Sequence, residues 1–355
     1  MRFTFFAAAL VAVIAMSWSS RDALAQACNE TGYTYNASCQ GNVTKSSGAV
    51  SGSATTVAAA QATTGLVMSR VNRVTAGDTG NLAVGSGTTE LLALGRGDSA
   101  GGAGENRAGI WINGAFIRAE GDANDAKFDS NIITGMIGAD YAVNDRLIVG
   151  LGLGYESQDT DTTYNAGDTQ GDGISGTAYF SYLFNEIYSL TGTFGYTRLN
   201  YDHTRTDPLS NAKITGDNDA NRFAGSLSGA GSWTRDALRL GASVGTLYIV
   251  EKQDAFTESN GVAVASESIT VGQVNLGGSA AYRVGVAEPF VNTLVGYDYN
   301  DAGGSYDNRL SVSAALGSNF YLTEEFTLNA QAIGQYRNDL TVYGGSATAR
   351  YSIRW

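Results

Sequence analysis

The clearest pattern in the chain is an alternation of apolar and polar residues at its C-terminal end. From 345 to 355 every second residue is aromatic, aliphatic or small, and the residues between them are polar. The polar face carries Arg350 and Arg354, which a soluble protein would hardly bury on one face of a core strand. A strand with lipid on one side and a wet or filled lumen on the other accepts both faces. The same alternation covers 326–337, where Ile333 is the one apolar residue on the polar face.

Twelve segments with this period follow one another from Arg107 onward. They cover 107–119, 127–142, 145–158, 171–184, 186–200, 219–234, 236–251, 266–283, 288–300, 308–321, 324–337 and 340–355. Connections after even-numbered segments are short turns, whereas most of the others are longer and Asp-rich, as in 159–173, 202–219, 253–266 and 301–307. This arrangement is typical of bacterial outer-membrane barrels. The sequence therefore predicts an all-β fold, a twelve-stranded antiparallel transmembrane β-barrel over 107–355, with a soluble β-sandwich or propeller as the alternative.

Residues 1–25 have the composition of a secretory signal peptide, with a basic start, an apolar run and small residues around Ala25. The mature chain is therefore expected outside the cytoplasm. The whole sequence contains 22 Lys and Arg against 34 Asp and Glu, a net charge of −12. An acidic chain cannot assemble the basic face that nucleic acid requires, so we expect no nucleic-acid partner.

Three further segments precede the barrel. Residues 26–52 contain the chain's two cysteines, Cys28 and Cys39, for which we expect a local disulfide because an exported chain keeps such bonds. Two thiols do not complete a zinc site, so no metal site is predicted there. Residues 53–75 are rich in Ala and other helix formers, which favours a helix. Residues 76–106 have the composition of a Gly-rich linker.

The predicted barrel resembles the translocator barrel of the autotransporters, which belong to type V secretion. The resemblance lies in the order of several stretches: 109–114 (Gly-Ile-Trp-Ile-Asn-Gly), 138–150, 255–261 (Ala-Phe-Thr-Glu-Ser-Asn-Gly) and the terminal Ile353-Arg354-Trp355. It extends over essentially everything from Arg107 onward. It implies a monomeric barrel in the outer membrane of a Gram-negative bacterium.

The resemblance also implies roles for particular residues. In this family a helix like the one predicted over 53–75 lies in the barrel lumen. Arg70 and Arg73 would then act as a plug by pairing with the inward acids Asp140, Glu156 and Asp298; a loosely ordered periplasmic linker is the alternative. Tyr351, Ile353 and Trp355 resemble the signal that the barrel-assembly machinery reads. The expected partners are therefore this machinery, periplasmic chaperones, and outer-membrane lipid with lipopolysaccharide.

The expected function is export or surface anchoring of the short segment 26–52, which leaves no room for the large passenger that autotransporters normally carry. A porin-like channel for small solutes and a surface-interaction protein acting through its long loops are the alternatives. We expect no enzyme activity and no cofactor, because Ser99 has no base beside it and the single histidine, His203, is expected as a solvated loop residue. The Asp-rich stretch 159–173 is expected to be a solvated loop, with a Ca²⁺ or Mg²⁺ site as the alternative.

Overall fold

The computed structural model describes residues 56, 58, 59, 108–123, 126–163, 166–207, 210–301, 309–337 and 340–353. Thr56, Ala58 and Ala59 are helical, and almost all other described residues lie in strands. The strands are β1 (Ala108–Ala123), β2 (Ala126–Asn144), β3 (Leu147–Thr162), β4 (Gly167–Leu183), β5 (Tyr188–Thr206), β6 (Lys213–Arg235), β7 (Leu238–Gln253), β8 (Phe256–Thr257), β9 (Ala263–Val264), β10 (Glu267–Tyr282), β11 (Ala287–Asp301), β12 (Leu310–Tyr321), β13 (Phe326–Arg337) and β14 (Leu340–Ile353). Within the described ranges, no helix has the length and apolarity needed to cross a membrane.

Twelve of these strands form one closed antiparallel barrel. Going round the barrel, the order is β1, β14, β13, β12, β11, β10, β7, β6, β5, β4, β3, β2. Strands that follow one another in the chain are therefore paired, and β7 pairs with β10 because β8 and β9 form a separate two-stranded sheet between them. The ring closes where β1 pairs with β14, from Ala108 opposite Ile353 to Gly121 opposite Leu340. The predicted twelve-stranded antiparallel barrel is confirmed.

The two faces of the barrel wall differ in polarity as the alternation predicts. Leu151, Leu153 and Ile174 point outward and are 67–71% exposed, whereas Ser130 and Thr160 point inward and are fully buried. Exposed aliphatic side chains at such density belong against lipid, because water would not tolerate so large an apolar surface. The inward position of Ile333 is also confirmed, since it packs on Ala315 inside the wall.

Aromatic residues form two rings at the edges of the outer apolar surface. The lower ring lies near the short connections such as 145–146 and contains Tyr141, Phe184, Tyr188, Trp233, Tyr282 and Tyr351. The upper ring lies toward the opposite end and contains Phe116, Tyr155, Tyr196, Phe223, Tyr248, Tyr297, Tyr336 and Tyr343. Their amphipathic rings suit the boundary between lipid and headgroups. The apolar band between them therefore marks the part of the barrel that crosses the membrane.

Short turns join the strands at one end of the barrel, called here the short-turn end (connections 145–146, 184–187, 236–237, 283–286 and 322–325). Side-chain acceptors fix several of them: Asn144 Oδ1 accepts from the backbone N–H groups of Arg146 and Leu147, both at 2.9 Å. Asn185 Oδ1 accepts in the same way from two backbone N–H groups at 2.8 Å. Asn side chains favour such turns by binding their own backbone, and the predicted turn positions are confirmed.

The opposite end, called the long-hairpin end (connections 163–166, 207–212 and 254–266), corrects the sequence analysis. The stretch 159–173 is not a long loop, because β3 continues to Thr162 and β4 starts at Gly167. Likewise, β5 and β6 extend through most of 202–219, and 253–266 contains the β8–β9 pair. These strand ends lie beyond the apolar band, so both of their faces are mostly polar and the alternation that revealed the other strands is weak. Most of the predicted loop 301–307 lies outside the described residues.

The inward glycines of β3 do not leave open lumen space. A Cβ atom at Gly150 would lie 2.1 Å from the Tyr179 ring, and one at Gly152 would lie 3.1 Å from the Trp111 ring. Aromatic side chains from β1 and β4 therefore occupy the space over these glycines. Trp111 also donates a hydrogen bond from Nε1 to the Tyr179 hydroxyl at 2.8 Å. The glycines provide room for packing rather than for a channel.

Gly138 tests this packing, with Gly135 on the same strand as its control. A Cβ atom at Gly138 would lie 2.3 Å from Trp111 and 2.5 Å from the backbone oxygen of Leu151, whereas one at Gly135 would have nothing within 4 Å. We expect Gly138→Ala to lower the free energy of unfolding by about 1–3 kcal/mol through overpacking. Gly135→Ala should change it by less than about 0.5 kcal/mol. Urea unfolding followed by tryptophan fluorescence measures both, and equal effects would contradict the packing role.

Candidate functional site: the barrel lumen

The inner wall of the barrel carries buried ion pairs. Arg222 contacts both Glu156, at 2.6 Å, and Glu251, at 2.7 Å. Three other arginines contact carboxylates: Arg205 contacts Glu258, Arg239 contacts Glu288, and Arg337 contacts Asp298. All of these side chains are at least nine-tenths buried. A small barrel has few other partners for inward polar groups, so the charges neutralise one another.

Glu251 is the centre of the largest polar network. Its Oε1 accepts hydrogen bonds from the Tyr201 hydroxyl at 3.1 Å and from Gln253 Nε2 at 2.8 Å. Its Oε2 accepts from Arg222 Nε at 2.7 Å and from Thr56 Oγ1 at 3.0 Å. The network therefore joins the barrel wall to a residue from the segment that precedes the barrel.

The three described helical residues reach opposite sides of the lumen. Thr56 bonds to Glu251 on β7, while Ala58 and Ala59 are buried in one apolar cluster with residues of β1, β2 and β14. The wall side of this cluster consists of Ile117, Ala119, Phe128, Ile132, Leu340 and Val342. In the order round the ring, β1 and β7 are six strands apart, so they face each other across the lumen. A single helical turn therefore spans the lumen at this height. This agrees with the helix expected in the lumen.

A small hairpin, called here the mouth hairpin (residues 256–264), lies over the inner face of the long-hairpin end. Arg205 Nε and Nη2 donate to the two carboxylate oxygens of Glu258, at 2.7 and 2.6 Å. The Phe256 ring stacks on His203, with centroids 5.2 Å apart and planes 17° apart. The backbone N–H of Ser259 donates to the Thr215 carbonyl at 2.8 Å. Because His203 and Arg205 point inward from β5, the hairpin partly covers the lumen mouth.

His203 is therefore a buried strand residue, and its prediction as a solvated loop residue is wrong. Asn218 uses its Nδ2 to donate to the Asp254 carbonyl, so its Oδ1 accepts from His203 Nε2, at 2.8 Å. His203 Nδ1 then accepts from the Thr169 hydroxyl at 3.2 Å. Burial lowers the pKa of His203, and the hydrogen bond to Asn218 and nearby acids offset this only in part. The imidazole is thus neutral in its folded environment.

The acidic residues of the stretch 159–173, which was expected to be a loop, lie on the outer face of β3 and β4 above the apolar band. Asp161 on β3 lies opposite Asp129 on β2 and Asp168 on β4. Partial burial, followed by the neighbouring carboxylates, raises the pKa of Asp161 and of Asp168. Over the described ranges, no group of three or more His, Cys, Asp or Glu side chains is arranged to hold a metal ion. The structure therefore gives the calcium or magnesium hypothesis no site.

The structure locates only some of the residues that the sequence selected. Tyr351 points outward on β14 opposite Ile110 of β1 and Phe326 of β13, and Ile353 ends the same strand. The inward positions of Asp140, Glu156 and Asp298 are confirmed. Cys28, Cys39, Arg70, Arg73 and Trp355 lie outside the described residues.

Sequence reasoning missed the residues at the centre of the lumen network. Arg222 and Glu251 occupy inward positions of β6 and β7, and both are fully or almost fully buried. The sequence does show that each is a charged residue in phase with the polar face of its strand. It does not show that the two residues contact each other, because that contact depends on how the strands are arranged in the barrel.

These features define the class of protein as a transmembrane β-barrel whose lumen is crossed by a helical turn. The chain belongs to a particular family of such barrels, since the Autotransporter beta-domain family matches residues 110–347. The predicted family is thereby confirmed. The barrel is thus of the outer-membrane translocator type found in this family.

Solved structures show the same fold. The translocator domain of the autotransporter NalP from Neisseria meningitidis is 17% identical, covers 69% of this chain and 88% of its own, and has a TM-score of 0.62. The beta domain of the Bordetella autotransporter BrkA is 17% identical, with 70% and 100% coverage and a TM-score of 0.62. The transport unit of AIDA-I from Escherichia coli is 17% identical, with 71% and 92% coverage and a TM-score of 0.53. No curated protein matches the chain.

The burial of His203 predicts that the mouth hairpin loosens as the pH falls. Because the folded pKa is lowered, full stability is present above the ordinary value of about 6.5 and is lost as the pH drops below it. Hydrogen exchange of peptides covering 254–266, corrected for the intrinsic effect of pH, should therefore be faster at pH 5 than at pH 7.5. His203→Gln removes the titrating group and should abolish this difference. If the variant kept the same pH dependence, His203 would not be its source.

Proposed function

We propose that the protein is an outer-membrane translocator barrel that exports or anchors its own short N-terminal segment, residues 26–52. After export, the helical segment 53–75 would remain in the lumen and fill it. The proposed location is the outer membrane of a Gram-negative bacterium. Family membership supports this class of function, and the apolar band between two aromatic rings supports the location.

The observation that carries the proposal is the helical turn that spans the lumen. Thr56 reaches Glu251 on one wall while Ala58 and Ala59 pack against the opposite wall. A segment that precedes the first strand and lies inside the barrel has a direct route through it. Side chains as small as Thr and Ala leave room for a helix, which needs a diameter of about 10–12 Å with its side chains. A porin-like channel would need this cross-section to stay open.

The proposed partners follow from the outer surface and from the last strand. The outer apolar band would contact lipid, and the upper aromatic ring with the polar strand ends above it would meet lipopolysaccharide. We propose that Tyr351, Ile353 and Trp355 are read by the barrel-assembly machinery, after periplasmic chaperones have carried the unfolded chain to it. The outward position of Tyr351 at the closing strand supports this role. The protein is proposed to act as a monomer without a cofactor.

An epitope tag after Glu30 tests export directly. We expect intact cells to expose this tag to antibody and to external protease, because the N-terminal segment would have crossed the barrel. A second tag after Asp145, in the short-turn end, is the matched control and should be reached only after the outer membrane is broken. A tag after Glu30 that stayed hidden in intact cells would contradict export and favour the porin-like or loop-receptor alternative.

Deletion of the helical segment tests the plug. We expect removal of residues 53–75 to convert rare, small openings in a planar lipid bilayer into large and steady ones, because the lumen loses the helical turn that spans it. Removal of 80–102, a stretch of equal length in the Gly-rich linker, is the control and should leave the conductance unchanged. Large openings in the unmodified protein would instead support a porin-like channel.

A further inference from the structure

The network around Arg222 contains more negative than positive charge. Glu156 and Glu251 both contact the single guanidinium of Arg222, and the remaining described members, Tyr201, Gln253 and Thr56, are neutral. The network therefore contains one more carboxylate than it has cations.

Three hydrogen-bond acceptors of this region have no partner. They are Glu156 Oε2, Thr134 Oγ1 and Gln158 Oε1, and their side chains are at most 5% exposed. Thr134 lies directly opposite Glu156 in the β2–β3 pairing, and Gln158 follows two residues later on the same inward face. Directly opposed residues in a sheet have Cβ atoms about 4.5–5.5 Å apart, so the side chains of Thr134 and Glu156 are neighbours.

Gln158 is tied to the same network by its packing. A Cβ atom on Gly171 would lie 3.2 Å from Gln158 Cγ and 2.6 Å from the Tyr201 ring, so both side chains lie over this glycine. The Tyr201 hydroxyl in turn bonds to Glu251 and contacts Arg222 Nη2 at 3.4 Å. The three unpartnered acceptors therefore lie along the edge of the network that carries the excess negative charge.

Buried acceptors and a buried excess charge are both unfavourable unless a donor or an opposite charge meets them. A cation that carries N–H groups satisfies both needs at once. A divalent metal ion fits poorly, because only one carboxylate oxygen is free and Arg222 lies beside it. We propose that Glu156, Thr134 and Gln158 form a binding site on the lumen wall for an ammonium or guanidinium group.

The cation can come from two sources. One is a basic side chain of this chain ahead of the barrel, where Lys45, Arg70, Arg73, Arg96 and Arg107 are available. The other is a free organic cation that enters the lumen. The site goes beyond the proposed export function, since it requires only the folded barrel and would exist whether or not residues 26–52 reach the cell surface.

The test measures how cations shift the folding equilibrium of the full-length mature chain in urea. Methylguanidinium is the probe, and tetramethylammonium, which has the same charge but no N–H donor, replaces it at constant total chloride as the control. The measurement is made on the unmodified protein and on a variant with the five upstream basic residues changed to Gln. At ten times the dissociation constant, a bound probe should raise the ratio of folded to unfolded protein about tenfold.

The result identifies the source of the cation. If the chain supplies it, the unmodified protein gains nothing from methylguanidinium and the five-Gln variant gains about tenfold. If the cation is free, the unmodified protein itself shows the gain. In both cases Glu156→Gln should abolish the gain, because it removes the charge at constant size.

A matched pair of neutral variants keeps the test independent of Glu156→Gln folding. Gln158→Met should reduce the gain. Gln335→Met removes an equally unpartnered and buried oxygen on the inner face of β13, and it should leave the gain unchanged. The proposal is overturned if methylguanidinium gives no gain in either background or if tetramethylammonium gives the same gain. It is also overturned if the gain survives Glu156→Gln, or if a Glu156→Gln chain is as stable as the unmodified one and neither chain responds to methylguanidinium.

Discussion

The constraint on which the structure depends is the closure of the hydrogen-bonded wall between β1 and β14. Inside a bilayer no water is available to an unpaired backbone group, so a sheet can cross it only when its first and last strands pair. Fourteen successive residue pairs, from Ala108 with Ile353 to Gly121 with Leu340, provide this closure. Closure also fixes the side chains: alternate residues must face lipid and lumen all the way round. The inward charges follow from this geometry, because they have no other place in the apolar band.

An inward polar face must satisfy itself within a narrow space. Buried ion pairs add little net stability, because removing two charges from water offsets most of their attraction, but removing one partner is strongly destabilising. Pairs such as Arg337 on β13 with Asp298 on β11 therefore link strands of the wall that are not neighbours. Arg222 links a wider part of the wall: it lies on β6, Glu156 lies on β3 and Glu251 lies on the adjacent β7. The network therefore fixes the shape of one side of the lumen.

The sequence predicts those parts of the fold in which the two faces of a strand differ. Within the apolar band this difference is large, and the number of strands, their faces and turns such as Asn144-Asp145 can all be predicted. Above the band both faces are mostly polar, so the sequence shows neither that β5 extends to Thr206 nor that His203 is buried beneath Phe256. The partners in the lumen are also hidden, because Arg222 and Glu156 are 66 residues apart and meet only through curvature of the wall. The filling of the space above Gly150 could not be predicted for a similar reason, since the Tyr179 ring that fills it belongs to the next strand.

The contacts of the helical turn differ in strength from those of the wall that surrounds it. Thr56 contributes one hydrogen bond from a neutral hydroxyl to Glu251, although the acceptor is charged, and such bonds are worth about 1.5–3 kcal/mol. Ala58 and Ala59 add only the burial of methyl groups against the opposite wall, at about 0.8 kcal/mol per carbon. Breaking the contact of Arg222 with Glu156 or Glu251 would instead leave a buried charge without its partner, at about 3–5 kcal/mol. The described contacts thus allow the turn to leave or enter its place while the wall stays intact, which is what the proposed passage of this segment through the barrel requires.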